Sequence, residues 1–395
     1  MTHVLLGLMG AGIALWAVRG LLVWHFRRRV TTLPADPPAW PSDERPPRVT
    51  VIVPAKDEEA NITVCLESLL AQDYADFGII VVDDRSEDRT AEIAAGLAAR
   101  DGRLRLIRNT ALPNGWTGKC HALDVGAKQA DGDWLLFADA DTAHAPTALR
   151  SAMIVAVSRG VDLFTLLPRV VTEGIWEGAL QPSLAGVLMS LFPPSMVNRS
   201  RRDLAFANGQ YILIRRSAYD RLGGHAAVRC EFLEDIALAR LAHDAGLGVA
   251  LADGGTVVRT RMYRGSRAVW HGWSRIFYGC GRPSLVLTAW MLLSLLTTVL
   301  PAAVLVGALA ALALGGRAAG VRPLLLLALV HTGVMFACMG LFYRLGRYRL
   351  RCLPLHPPAT AFAVGVLANA VRLKWFARTV TWRGTTYDQR SRKDA

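Results

Sequence analysis

Residues 48–84, RVTVIVPAKDEEANITVCLESLLAQDYADFGIIVVDD, change period twice. Arg48 to Pro54 is a short, almost continuous apolar run rich in valine, the pattern of a strand buried on both faces. Glu59 to Ala71 repeats its apolar residues at helical spacing, and Gly78 to Val82 is a second buried strand closed by Asp83-Asp84. Working outward, the alternation continues with a helix at Asp88 to Arg100, a strand at Leu104 to Ile107 and a helix at His121 to Ala130. A strand at Trp134 to Ala138 closed by Asp139, a helix at Pro146 to Arg159 and a strand at Asp162 to Leu167 follow. This order predicts an α/β fold with a mostly parallel, doubly wound sheet. Ligands of such sheets bind beyond the carboxyl ends of the strands, which is where the acidic pairs stand.

The rest of the chain is apolar. Of 395 residues, 52% are hydrophobic and 19% charged, with a mean hydropathy of +0.28. Soluble domains carry about 25% charged residues. Lys and Arg number 45 against 32 Asp and Glu, a net charge of +13. That balance excludes an acidic disordered protein, and the apolar fraction argues against a nucleic-acid binder; a basic, greasy chain suits an anionic leaflet. The six cysteines show no CxxC pair and read as reduced thiols of a cytosol-facing protein.

Val4 to Phe26 reads as an uncleaved membrane anchor, with Arg19 expected to snorkel toward Arg27-Arg28-Arg29. Leu285 to Leu314, with Pro301 as an expected kink, and Pro323 to Tyr343 also exceed the roughly 20 residues a bilayer needs. Ala359 to Val371 is shorter and follows Pro354, Pro357 and Pro358, so an interfacial or re-entrant segment broken by prolines is expected. The basic clusters after the first and third spans put the amino terminus outside and the middle of the chain in the cytoplasm. The expected plan is an anchor at 1–26, a structureless proline-rich linker at 27–47 and a cytoplasmic α/β domain at 48–264. An aromatic and basic interfacial segment at 265–283, membrane helices at 284–371 with the re-entrant segment at 354–371, and a basic cytoplasmic tail at 372–395 complete it.

Four constellations carry chemistry. Asp83-Asp84 and Asp139-Ala140-Asp141 end two strands; single acids there cap helices, whereas an Asp-x-Asp pair also suits a divalent cation completed by ligand phosphates. Gly115-Trp116-Thr117-Gly118-Lys119 opens a helix and can present N–H groups and an ammonium to a phosphate; the Walker spacing is absent. Glu231-Phe232-Leu233-Glu234-Asp235 precedes a helix, and its acids serve either as a cap or, at Asp235, as a general base. Arg259 to Arg275 interleaves arginine with Tyr263, Trp270 and Trp273, which fits an interfacial anchor as well as a site.

Taken in order, VIVPAKDEEANI (51–62), VVDDRSEDRT (81–90), GWTGKCHAL (115–123), FADAD (137–141), NGQYILIRRSAYDRLGGH (208–225), FLEDIALA (232–239) and TWRGTTY (381–387) resemble the motifs of family 2 inverting glycosyltransferases with the nucleotide-diphospho-sugar (GT-A) fold. The nearest resemblance is to the membrane-bound hopanoid-associated glycosyltransferases, with bacterial carotenoid glycosyltransferases and ceramide glucosyltransferase as further relatives. It covers roughly residues 48–280. The resemblance implies transfer of one sugar from a nucleotide-diphosphate sugar, a UDP-sugar, to a membrane lipid, a hopanoid or related polyisoprenoid, with Mn2+ or Mg2+. It implies partners limited to donor, lipid acceptor and membrane, with no nucleic-acid polymer, and a multi-pass place in the cytoplasmic membrane.

Carried over by residue, the resemblance implies that Glu58 and Asp83 or Asp84 contact the nucleoside and that Lys119 lies near the diphosphate. Asp139 would approach the ribose or sugar and, with Asp141, hold the metal. Asn208, Gly209 and Gln210 would line the acceptor side, and Asp235, beside Glu234, would act as the base. Two departures stand out. Asp57 replaces a frequent Asn, and the QxxRW motif of processive synthases is absent, because Arg264-Gly-Ser-Arg267 is followed by Ala268. A transporter would be expected to carry acidic residues in its spans, and these spans have none. A catalytically silent scaffold would have no use for Asp139, Asp141 and Asp235 together.

Overall fold

The computed structural model describes residues 2–40, 45–198, 202–315, 321–376, 379–382 and 385–388. Chain order runs α1 (Thr2–Arg29), β1 (Val49–Ala55), α2 (Ile62–Leu70), β2 (Phe77–Asp84), α3 (Thr90–Ala98), β3 (Leu104–Asn109), α4 (Gly118–Lys128) and β4 (Trp134–Phe137). It continues with β5 (Thr142–His144), α5 (Ala148–Ser158), β6 (Leu163–Leu167), β7 (Arg169–Val170), α6 (Gly174–Leu191), α7 (Pro194–Val197), β8 (Ile212–Arg215) and α8 (Arg216–Arg221). Then come α9 (Glu234–Asp244), β9 (Val249–Asp253), β10 (Val258–Thr260), α10 (Gly265–Gly279), α11 (Ser284–Ser294), α12 (Leu300–Ala313), α13 (Val321–Leu345) and α14 (His356–Phe376). A hairpin of β11 (Thr379–Trp382) and β12 (Thr385–Asp388) closes the described chain. Arg383-Gly384 of the TWRGTTY motif, Arg378 and residues 389–395 of the basic tail lie outside the described residues.

Two compact units are present. The first is the α/β unit, Val30–Val171 with Phe192–Met262 and Ala377–Ala395. Its seven-stranded sheet has the order β3-β2-β1-β4-β8-β6-β9, parallel except that β8 runs against both neighbours. Strand alternation sorts β1 between two cores. Val49, Val51 and Val53 meet Cys65, Leu66 and Leu69 of α2 and Ala152 of α5. Ile52 faces the other way, toward Ala122, Leu123 and Ala127 of α4. This is the mostly parallel, two-sided sheet expected from the sequence. A second sheet, β5-β10-β7, had no counterpart in that reading.

The proline-rich stretch is not structureless over its described part. Residues 30–40 form a strap on the α/β unit: Thr32 bridges Asp253, and Leu33 N–H donates to the Asp253 carbonyl at 2.9 Å. Ser151 and Thr147 hydroxyls donate to the Pro34 and Ala35 carbonyls at 2.9 and 2.7 Å. Proline removes N–H donors but leaves carbonyls, and side chains of α5 and its N-terminal turn satisfy them. Residues 41–44 lie outside the description. Because Leu33 is fully buried in the core, Leu33→Ala is expected to destabilise the protein by about 2–5 kcal/mol. A thermal melt of the full-length variant matching wild type would contradict that placement.

The second unit is Met1–Arg29, Thr172–Leu191 and Tyr263–Phe376. Three of its helical stretches are long and apolar enough to cross a membrane: His3–His25, Ser284–Ala313 and Val321–Leu345. Pro301 lacks the N–H that would bond the Thr297 carbonyl in a regular helix, and a π turn occupies Leu295–Val299. The Thr297 oxygen instead accepts Trp16 Nε1–H at 2.8 Å and meets His331 Nε2 at 2.7 Å. Two expectations are corrected here. Arg19 does not reach toward Arg27-Arg28-Arg29; its guanidinium lies over Trp16, one turn back, as the backward tilt of helical side chains favours. Pro357 and Pro358 do not break a helix but begin one: they occupy the first turn of α14, where missing N–H groups are harmless.

Candidate functional site

The site grows from the carboxyl ends of β1, β2 and β4. Register places Ala55 opposite Asp83, and Ile52 opposite Phe137, so the segments following those strands share one edge. After β1 the chain turns through Asp57 in a left-handed conformation, φ +52°. Asp and Asn both tolerate that region, so the departure from Asn keeps the turn; Asp57 Oδ1 accepts from Glu87 N at 2.9 Å. Glu58 is buried, and its Oε2 accepts from Asn61 Nδ2 at 2.7 Å. At the end of β2, Asp83 is buried and its Oδ1 meets no donor among the described residues. Asp84 takes both arms of Arg85, at 3.0 and 2.9 Å. A Cβ on Gly118 would collide with its Oδ2, so glycine leaves room for the Asp84 carboxylate at the start of α4.

Thr117 caps α4 by accepting from Cys120 N, which fixes the direction of Lys119. The ammonium bridges two carboxylates, Asp139 Oδ1 and Glu234 Oε1, each at 2.7 Å. Thr117 N–H also donates to the Arg229 carbonyl at 2.8 Å, holding the α4 entrance against the loop before α9. Asp235 accepts from Gly209 N–H on Oδ2 and from Ile236 N–H on Oδ1, both at 2.8 Å. A Cβ at Gly209 would sit 3.0 Å from Lys119 Nζ, 3.1 Å from Asp235 Oδ2 and 3.3 Å from Glu234 Oε1. Glycine is what admits three charged groups around one backbone point.

Burial alone would lower the Lys119 ammonium, but Asp139, Glu234 and Asp235 hold it well above the usual lysine value. Burial, and then the Glu234 carboxylate, push Asp235 up to about 7 against the opposing influence of Lys119 and the two N–H donors. A carboxylate poised near neutrality, next to a fixed cation, can take a proton at working pH.

The Asn208-Gly209-Gln210 turn is tied to the Asp-x-Asp segment through residues the sequence reading did not single out. Asn208 N–H donates to Thr165 Oγ1 at 2.9 Å, and Gln210 Nε2 donates to Thr260 Oγ1 at 3.0 Å. The Thr260 hydroxyl donates in turn to Asp141 Oδ1 at 3.4 Å. On the other side, Thr142 Oγ1 donates to the Asp139 carbonyl at 2.7 Å and contacts His144 Nε2 at 2.9 Å. Burial lowers His144 to about 4, so this support is a neutral imidazole. Isolated threonines on short strands carry no periodic or motif signal, which is why they were missed.

Among the described residues no group of three or more His, Cys, Asp or Glu is placed to hold a metal, and Asp139 is ion-paired with Lys119. The described residues therefore offer no closed cage. Asp141, half-buried and oxygen-bearing, fits the other way of holding Mg2+ or Mn2+, in which one or two carboxylates are completed by ligand phosphates. Lys119, Asp139, Gly209, Glu234 and Asp235 thus form one cluster, Asp84 stands against Gly118 at the start of the same helix, and Gln210 reaches Asp141 through Thr260.

Residues 50–223 match the family model described as Glycosyl transferase family 2. A 4,4'-diaponeurosporenoate glycosyltransferase of Staphylococcus haemolyticus is 30% identical over 234 residues, covering 58% of this chain and 60% of that protein. The chain thus spans less than two thirds of that relative. The protein of the same name from Staphylococcus aureus is 25% identical over 353 residues, covering 86% of this chain and 88% of its own length. Among solved structures, a mannosyltransferase from Pyrobaculum calidifontis, in complex with GDP-Man and Mn2+, aligns over 94% of this chain and 99% of its own with a TM-score of 0.51 at 18% identity, a likeness of fold. The α/β unit of this chain thus has a GT-A-like fold, and residues 50–223 are similar to the family 2 glycosyl transferases.

Proposed function

We propose that the protein moves one sugar from a nucleotide-diphosphate sugar, a UDP-sugar, to a membrane lipid, a polyisoprenoid, with inversion at the anomeric carbon. The observation that carries this reading is the centre of the site: Lys119 held between Asp139 and Glu234 with Asp235 alongside. Glu58, Asp83 and Asp84 bind the nucleoside; the buried, unpartnered Asp83 Oδ1 is suited to accept a donor from the base or ribose. Lys119 turns from its carboxylates to the diphosphate, and Asp139 meets the ribose or sugar. Asp141, with Asp139, would hold Mn2+ or Mg2+, which supplies positive charge for the departing diphosphate. Asp235 removes the acceptor proton, and Asn208, Gly209 and Gln210 line the acceptor side.

The apolar helices support a lipid acceptor and a multi-pass place in the cytoplasmic membrane with the α/β domain in the cytoplasm. The resemblance to hopanoid-associated enzymes favours a hopanoid hydroxyl. The relatives' names favour a carotenoid carboxylate. These differ chemically, since a carboxylate acceptor brings no proton to remove. Lipid extraction from a deletion strain tests the reading: an unglycosylated polyisoprenoid should accumulate while its glycoside disappears. An unchanged glycolipid profile would overturn it.

Asp141→Ala is expected to lower transfer by about 10²-fold or more and to weaken nucleotide-diphosphate binding, since the leaving group loses its counter-charge. Activity undiminished in excess chelator would refute the metal assignment.

A further inference from the structure

We propose that Arg19, set between Trp16 and Trp290 in the helical unit, is a binding site for the anionic head of an amphiphile, a carboxylate or phosphate. The Arg19 guanidinium carbon lies 4.5 Å from the Trp16 ring centroid and 5.6 Å from that of Trp290. Trp16 is 2% exposed and fixed by its bond to the Thr297 carbonyl, so its ring cannot turn away. The cation therefore stands near the middle of the apolar stretch His3–His25, one turn deeper than its Cα position alone would place it. Among the described residues no carboxylate pairs with it, and the nearby Cys338 thiol donates to the Trp16 carbonyl at 3.2 Å.

The charge distribution of the chain sharpens the point. The helical unit contains sixteen Lys and Arg and only two acidic residues, Glu173 and Glu177, at the start of α6. Twenty-nine Lys and Arg and thirty acidic residues make up the rest of the chain. From Gly254 to Tyr387 the sequence has no acid at all. Glu177 is already engaged, its Oε1 accepting from Gly265 N–H at 2.8 Å. Among the described residues, no carboxylate of the unit thus pairs with Arg19.

A cation in an apolar helix bundle is costly and is ordinarily paired. Two indole faces attract it electrostatically but accept none of its five N–H donors. Arginine in that setting has the planar fork that fits a carboxylate or phosphate in two parallel bonds, and aromatic faces on either side leave that fork oriented. The ligand must be apolar elsewhere, because Arg19 and Trp290 belong to the long apolar stretches His3–His25 and Ser284–Ala313. An anionic amphiphile meets both demands: a lipid acceptor bearing a carboxylate, or a phospholipid. This inference does not depend on glycosyl transfer.

The test uses full-length protein in detergent and native mass spectrometry with two probe pairs: retinoic acid against methyl retinoate, and dodecyl phosphate against dodecanol. Wild type should hold at least one charged probe about 10–100-fold more tightly than its neutral partner. Preference for the carboxylate assigns the site to an acceptor, and preference for the phosphate assigns it to a phospholipid. Arg19→Gln should bring charged and neutral probes level, and Arg19→Lys should recover part of the difference. Trp290→Leu, at a half-buried position, should weaken the charged probe alone. Equal binding of charged and neutral probes by wild type would overturn the proposal without needing any variant to fold. So would an undiminished charged-probe preference in Arg19→Gln. Absence of glycosyl transfer by wild type with this preference intact would count against the proposed function instead.

Discussion

Asp235→Asn is expected to lower turnover on a lipid hydroxyl by about 10²–10⁴-fold, the contribution of a general base, with donor affinity within a few-fold of wild type. The amide keeps the shape and its one oxygen can still accept from Gly209 N–H or Ile236 N–H, which Asp235 bonds on separate oxygens, but it has no basic oxygen. The pH profile gives the same residue a second signature. Burial and Glu234 raise Asp235 to about 7 in the donor-free protein. Only the deprotonated form accepts a proton, so kcat/KM should climb through about pH 7 and level off above it, and the limb should vanish in Asp235→Asn. Turnover and donor affinity are measured on the same preparation. Equal loss of both would make Asp235 a structural residue. A carboxylate acceptor separates cleanly from a hydroxyl here, because with it the variant loses little and the profile stays flat.

Lys119→Met is expected to destabilise the α/β unit by about 3 kcal/mol, the low end for breaking a buried pair, and to reduce donor affinity at the same time. Glu234 has only 6% of its side chain exposed, so removing the ammonium strands a carboxylate beside Asp235. Asp139 is 25% exposed and can find water. The paired variant Lys119→Met with Glu234→Gln should therefore regain much of the lost stability while donor affinity stays low. Thermal melts of wild type and the two variants give the order. A single variant as stable as wild type would mean that Lys119 is not the counter-charge of the site.

Much of the sheet was legible because its strands are buried on both faces. Runs such as Val49 to Val53 and Gly78 to Val82 leave little choice of structure, and the carboxylates stand at their ends in plain view. Strand β8 was not legible. Ile212–Arg215 lies inside a motif read for its polar residues, and nothing in four residues announces an antiparallel direction. The strap at 30–40 was misread because proline suggests stiffness and exposure. It is held by Leu33 and by carbonyls that Ser151, Thr147 and Thr256, over a hundred residues away, satisfy. The prolines before α14 were misread for a related reason, since proline ends a helix from within and begins one from its first turn.

Within the site, motif chemistry singled out the carboxylates, Lys119 and Gly209. It did not reveal that Lys119 would bridge Asp139 and Glu234, because a salt bridge between residues 115 positions apart leaves no trace in local spacing. The Gln210–Thr260–Asp141 chain was hidden in the same way. Such supports depend on which short strands meet, and β10 joins β5 and β7 through pairings that no periodicity encodes.

The most direct measurement is transfer by the purified full-length protein in lipid nanodiscs, given a panel of radiolabelled UDP- and GDP-sugars, Mn2+ and total polyisoprenoid lipid. Label is expected in the organic phase from a UDP-sugar, in a single-sugar lipid whose anomeric configuration is opposite to that of the donor. Label released only as free sugar, or a lipid product with the donor's configuration retained, would contradict it.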